Sequence, residues 1–146
     1  MTVTDITPAG QSTSLTFLFD LAHGQSKVWR AITEPELLKE WLLPAIGLRL
    51  EPGAEFTLKT EPVGGWDGVV HCRMSEVDPP NTLSYHWDVG DMHTMVTFTL
   101  APTPQGTQLT VVHSGFREDQ KKNWGGARYG WKMMGGKLVE LLGRTP

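Results

Sequence analysis

The chain of 146 residues contains one cysteine, Cys72, so it can form no disulfide within itself and suits a reducing compartment. It also lacks any run approaching the roughly 20 consecutive apolar residues that a membrane-spanning helix needs. Met1 to Gly10 show neither the charged start nor the apolar stretch of a secretory signal. A cytoplasmic protein that does not enter a membrane is the expectation. Basic residues are outnumbered: 13 Lys and Arg stand against 16 Asp and Glu, for a net charge of −3, and no basic stripe exists for a phosphate backbone to follow. Nucleic acid is thereby excluded as an expected partner. The sequence has no G-x-S-x-G, H-E-x-x-H, C-x-x-C, phosphate-binding loop or dinucleotide fingerprint. The common hydrolytic, zinc and nucleotide chemistries therefore have no carrier. These absences argue against an enzyme, and no cofactor is expected.

Tryptophan, by contrast, is plentiful. Six of them, at 29, 41, 66, 87, 124 and 131, exceed what packing a domain of this size requires, and large flat side chains line ligand pockets as well as cores. Residues 1–13 are rich in Thr, Pro, Gly and Ser and show little periodicity, so they are expected to form a flexible leader, with the domain running from 14 to 146. Leu15, Phe17, Phe19 and Leu21 alternate with period two and predict a strand. After His23-Gly24, Ser26 is the expected N-cap of a short helix carrying Val28, Trp29 and Ile32, and Pro35 opens a second with Leu37, Leu38 and Trp41. Strands are predicted over 56–60, 66–77, 82–87, 92–101 and 107–116, separated by short turn segments that make an antiparallel meander. In GARYGWKMMGGKLVELLG, residues Ala127, Trp131, Met134, Leu138, Leu141 and Leu142 recur at helical spacing, which predicts one long terminal helix.

Pairing the hairpins symmetrically about their turns sets Cys72 opposite Trp87, Trp87 opposite Met92, Val96 opposite His113, and His86 across from His93. Val70, Cys72, Met74, Leu83, Tyr85, Trp87, Met92, Thr94, Val96, Phe98, Leu100, Leu109, Val111 and His113 then share one face. His71, Arg73, Ser75, Ser84, His86, Asp88, His93, Thr97, Thr99 and Thr110 share the other. The terminal helix must cover the apolar face. Trp41, Phe56, Trp87, Val96, Phe98, Trp131, Met134 and Leu138 are expected to wall a ligand cavity between sheet and helix. Cys72, Met74 and Val111 stand on the same face, and Tyr85, Thr94 and His113 are the cavity's polar points. His113 and Tyr85 equally fit a core in which each is satisfied by neighbours. The glycines at 125, 126, 130, 135 and 136 fit either a helix that bends to admit a ligand or a close approach of helix to sheet. The outer histidines read as a solvated face, and no metal is expected there.

The segments VWRAITEPELLKEWL, LEPGAEF, EVDPPNTLSYHW, TFTLAP, GTQLTVVHSGF and the terminal GW resemble bacterial single-domain proteins similar to the C-terminal part of the activator of Hsp90 ATPase. That group belongs to the START/Bet v 1-like superfamily, and the resemblance covers about residues 14–143. It implies an α+β helix-grip fold, in which a curved antiparallel sheet wraps a long C-terminal helix, with two short helices after the first strand. It also implies a cavity, since the superfamily includes lipid, sterol and plant-metabolite binders alongside polyketide cyclases and aromatases. The eukaryotic co-chaperone carries an Hsp90-binding domain with an asparagine- and tryptophan-rich motif, of which Asn123-Trp124 is all that this sequence offers. The leading expectation is a non-catalytic binder of a small apolar ligand of unknown identity. Two alternatives are a cyclase- or dehydratase-like enzyme with His113 as acid or base and Tyr85 as proton donor, and a stress-related interaction module that meets a chaperone or forms a homodimer.

Overall fold

The alternation of Leu15, Phe17, Phe19 and Leu21 does place all four side chains in the interior, on a strand that lies inside an eight-stranded antiparallel sheet. The computed structural model describes residues 1–146. In chain order the strands are β1 (Thr2–Asp5), β2 (Ser14–Leu21), β3 (Ala45–Ile46), β4 (Glu55–Lys59), β5 (Val69–Asp78), β6 (Thr82–Val89), β7 (Met92–Thr103) and β8 (Gly106–Ser114). Helices α1 (Gln25–Thr33) and α2 (Pro35–Trp41) follow β2, and α3 (Lys121–Arg144) closes the chain after one turn of 3₁₀ helix at Glu118–Gln120. The sheet order is β1-β2-β8-β7-β6-β5-β4-β3, so the meander from β3 to β8 is joined at its far side by the first two strands. One sheet, two short helices and a long helix across its apolar face make the α+β helix-grip arrangement.

Several local expectations are corrected. Residues 1–13, expected to lie outside the domain as a leader, supply β1, which pairs with β2 from Thr2↔Asp20 to Asp5↔Phe17. Asp5 is tied to α3 by the Arg128 guanidinium, which donates from Nε to its carboxylate at 2.5 Å. Helix α1 begins one residue before Ser26, and its N-cap is Gly24, in extended conformation and without a side-chain cap. Pro35 does open α2, where its missing N–H costs nothing. Trp66 precedes β5 and makes an isolated bridge to Val63 instead of joining the strand. Helix α3 starts at Lys121, earlier than its apolar stripe suggested.

The face assignment survives with two changes of register. Cys72↔Trp87 and Val96↔His113 pair as expected, but Trp87 faces Thr94, because the turn is tight enough to pair Val89 with Met92. A slip of two residues leaves every side chain on its own face. Across the sheet from His93 therefore stands Asp88, not His86, and His93 Nδ1 lies 3.5 Å from its carboxylate. All fourteen residues assigned to the apolar face are buried. Ser84, assigned outward, is buried as well. Beside it the pairing of β5 with β6 shifts between Met74 and Glu76, leaving Ser75 as an extra, unpaired residue.

Candidate functional site

Two places on this scaffold collect side chains with chemistry: the space between sheet and α3, and a cleft on the sheet's outer face. The first contains the expected wall. Trp41, at the end of α2, is buried and donates its indole N–H to the Ala31 carbonyl at 2.8 Å. Trp131 and Leu138 of α3 point inward and are buried, while Met134 is only half-buried against the same cluster. Trp131 lies 5.9 Å from Trp87, 6.1 Å from Phe98 and 6.1 Å from the His113 ring, centroid to centroid, in the tilted and edge-on arrangements that aromatic quadrupoles favour. Phe56 packs edge-on to Tyr85 at 5.1 Å, and Cys72, Met74, Val96 and Val111 fill the remaining sheet positions. Trp87, Phe98, Trp131 and His113 pack ring against ring between the sheet and α3.

His113 and Thr94 form the polar centre of this cluster. Trp131 Nε1–H donates to His113 Nδ1 at 3.0 Å, so the imidazole proton must sit on Nε2, which lies 2.8 Å from Thr94 Oγ1. The hydroxyl in turn donates to the Trp87 carbonyl at 2.5 Å. The result is a one-way chain of donors from indole to imidazole to hydroxyl to backbone, with every member satisfied. Burial holds the imidazole neutral by pushing its pKa down to about 3. A histidine held neutral with both nitrogens engaged is a poor general acid or base at physiological pH. The Tyr85 phenol is pushed upward by burial and then by Cys72, so it keeps its proton. The Cys72 thiol is raised to about 12 by burial and by the nearby Asp88, which makes it an unreactive packed group.

The glycines of α3 separate into two kinds. A Cβ on Gly135 would stand 2.9 Å from Val3 Cγ1 and 3.1 Å from Phe19 Cε2, so this residue lets the helix lie close on β1 and β2. A Cβ on Gly125, Gly126 or Gly136 would meet nothing within 4 Å, and on Gly130 only the Met134 methyl at 3.8 Å. A Cβ on Gly143 would likewise meet nothing within 4 Å, so the close-approach reading accounts for one of the six glycines in α3. The other five lower the helix's intrinsic stability without serving a contact on the sheet.

The outer cleft was not foreseen. It has a volume of about 570 Å³ and is bordered on the outer side by Glu55, His71, Arg73, His86, Asp88 and the exposed Ile46 of β3, while Phe56 and Cys72 reach it from the inner set. The alternation that put these polar residues outside was legible, but the hollow they surround depends on β3, a strand of two residues with no periodicity of its own. A second depression, of about 630 Å³, lies beside Met1, Asp20 and the turn between β7 and β8. No group of His, Cys, Asp and Glu is arranged to hold a metal ion, and no helix is long and apolar enough to cross a membrane.

Comparison with known proteins agrees with this geometry. The solved structure of protein MLL2253 from Mesorhizobium loti superposes with a TM-score of 0.82 at 38% identity, covering 91% of this chain and 98% of that one. Protein NE0264 from Nitrosomonas europaea superposes at 0.77 with 26% identity over 94% and 99% of the two chains. DynU16, a protein in the dynemicin biosynthetic locus, shares the fold at a TM-score of 0.77 and 21% identity, over 92% of this chain and 48% of its own. No curated protein matches. The family model described as activator of Hsp90 ATPase homolog 1-like protein matches residues 22–143, from the end of β2 to the last turn of α3, and the chain belongs to that family.

Proposed function

We propose that this protein binds a small apolar ligand between its sheet and α3 and performs no chemistry on it. The observation that carries the reading is the set of five glycines in α3, at 125, 126, 130, 136 and 143, where an added Cβ would meet nothing on the sheet. They weaken the one element that covers the aromatic cluster, each by about 1 kcal/mol relative to alanine. A helix so built can lift from Trp87, Phe98 and His113 and make room for a guest that replaces side-chain contacts with its own. Family membership supports ligand binding in general, and the aromatic lining supports an apolar ligand in particular. The neutral, fully engaged imidazole of His113 and the absence of any paired carboxylate on the inner face speak against a cyclase-like reaction. The net charge of −3 disfavours nucleic acid, and a lone buried cysteine suits the cytoplasm.

Aminoanthracene, an apolar fluorophore excited by tryptophan emission, tests the reading. Saturable binding, with energy transfer from Trp87 and Trp131, is the expected result. The double variant Gly126→Ala/Gly136→Ala should bind more slowly, since it stiffens the helix and leaves the wall intact. Absence of saturable binding up to the solubility of the probe would overturn the proposal.

A further inference from the structure

Tyr85 stands on the inner face of β6, between Met74 on β5 and Val96 on β7, with only 2% of its surface exposed. Its ring lies edge-on to Phe56 at 5.1 Å and tilted to Phe98 at 6.0 Å, contacts that a phenylalanine ring would make equally well. The hydroxyl is not needed for that packing. The hydrogen bonds of the inner cluster run from Trp131 to His113, between His113 and Thr94, from Thr94 to the Trp87 carbonyl and from Trp41 to the Ala31 carbonyl, and none includes the Tyr85 hydroxyl. Nor is its oxygen sealed. The two shielded side-chain atoms without a partner are His23 Nε2 and Asp88 Oδ1, so the Tyr85 oxygen keeps contact with accessible space. A buried phenol thus ends in a donor that the fold does not use and that an incoming molecule can reach.

We propose that the guest held beneath α3 is a neutral carbonyl compound with a flat apolar body, and that its oxygen accepts a hydrogen bond from the Tyr85 hydroxyl. The inference rests on the reading that a guest enters there and adds its chemical class. Burial and the neighbouring Cys72 push the phenol pKa upward, so at physiological pH the group donates and does not carry charge. The other polar points of the wall are committed to one another, since the His113 nitrogens are engaged by Trp131 and Thr94, and Thr94 donates to the Trp87 carbonyl. No Asp, Glu, Lys or Arg stands among the buried residues of the protein. A ligand carboxylate would find no cation there and an ammonium no anion, and burying either unpaired is costly. A ligand hydroxyl or amine would bring a donor with no free acceptor to meet it, whereas a ketone, aldehyde or ester brings an acceptor alone. The rings of Trp87, Phe98 and Trp131 suit a flat body.

Acetylnaphthalene and ethylnaphthalene, which share a shape and differ at one carbonyl, are the probes, with naphthoate as the charged comparison. The indole resonance of Trp131, followed by NMR in each titration, reports occupancy of the inner space in the parent and in Tyr85→Phe. The variant should bind acetylnaphthalene roughly tenfold more weakly while its affinity for ethylnaphthalene moves by less than about twofold, and naphthoate should bind the parent at least about tenfold more weakly than the ketone. The melting temperature of Tyr85→Phe should stay within about 2 °C of the parent, because no hydrogen bond within the protein is lost. Equal losses for ketone and hydrocarbon, naphthoate bound as tightly as the ketone, or a drop of about 5 °C or more in melting temperature would overturn the carbonyl assignment and leave the guest beneath α3 standing. Failure of both naphthalenes to bind would overturn that reading, and this one with it.

Discussion

Replacing His113 by leucine removes the middle of the donor chain between Trp131 and Thr94 and leaves most of the volume filled. The two neighbours lose unequally. Thr94 keeps its own acceptor, the Trp87 carbonyl, whereas the Trp131 indole N–H, in a residue only 1% exposed, is left with no acceptor at all. A buried donor stranded in this way costs about 1–3 kcal/mol, and the change of shape against Phe116, whose ring lies 4.7 Å from the imidazole, adds to it. For a domain near this length, a loss of that size lowers the melting temperature by about 3–10 °C. Urea denaturation followed by tryptophan emission measures the free energy, and exchange of the Trp131 indole proton shows whether it lost its partner. His113→Gln, whose side-chain carbonyl can accept from the indole, should recover part of the loss. A leucine variant within about 0.5 kcal/mol of the parent, with the indole proton equally protected, would refute the hydrogen-bonded chain.

The same residue has a pH signature. Its imidazole titrates at about 3 in the folded protein against an ordinary value of 6.5, so the unfolded chain binds the extra proton first as pH falls. The stabilisation is therefore complete above 6.5 and erodes between 6.5 and about 3, by at most about 1.4 kcal/mol per pH unit. Denaturation midpoints from pH 7 to 4 should fall more steeply for the parent than for His113→Leu, and parallel curves would contradict this. Gly135→Ala should destabilise by roughly 0.5–2 kcal/mol, because its methyl group meets Val3 and Phe19, whereas Gly136→Ala, facing open space, should stabilise by up to about 1 kcal/mol; thermal melts of the pair decide it. Deleting residues 1–10 removes β1, its ladder to β2 and the Asp5–Arg128 ion pair, and should cost about 1–3 kcal/mol where a mere leader would cost nothing.

The apolar face of the sheet was readable because period-two alternation leaves no choice once one hydrophobic residue on each strand is placed. Even the wrong pairing of Trp87 with Met92 did no harm, since a two-residue slip preserves the faces. Ser84 shows where that logic stops: alternation puts it on the outer face, yet it is buried, and no residue type nearby announces either its burial or the unpaired position at Ser75. Strand β1 is hard to read because Thr-Val-Thr-Asp is polar and short, and Val3 is placed by its pairing with Phe19 on β2 and by the approach of α3 at Gly135, more than a hundred residues along the chain. The residues of the inner wall could be assembled from the sequence, but whether they enclose space or fill it depends on how far α3 stands from the sheet. For His113 the sequence left a pocket role and a core role open, and the Trp131 and Thr94 partners that engage both nitrogens are visible only in three dimensions.

The central claim is that a guest enters beneath α3. Intermolecular NOEs between bound aminoanthracene and the protein's methyl groups test it most directly, because the candidate locations carry different methyls. Contacts to Met134, Leu138 and Val96, with none to Ile46, are the predicted result. NOEs confined to Ile46 and the outer face, or a probe that binds with no contact to Met134 or Leu138, would contradict the account.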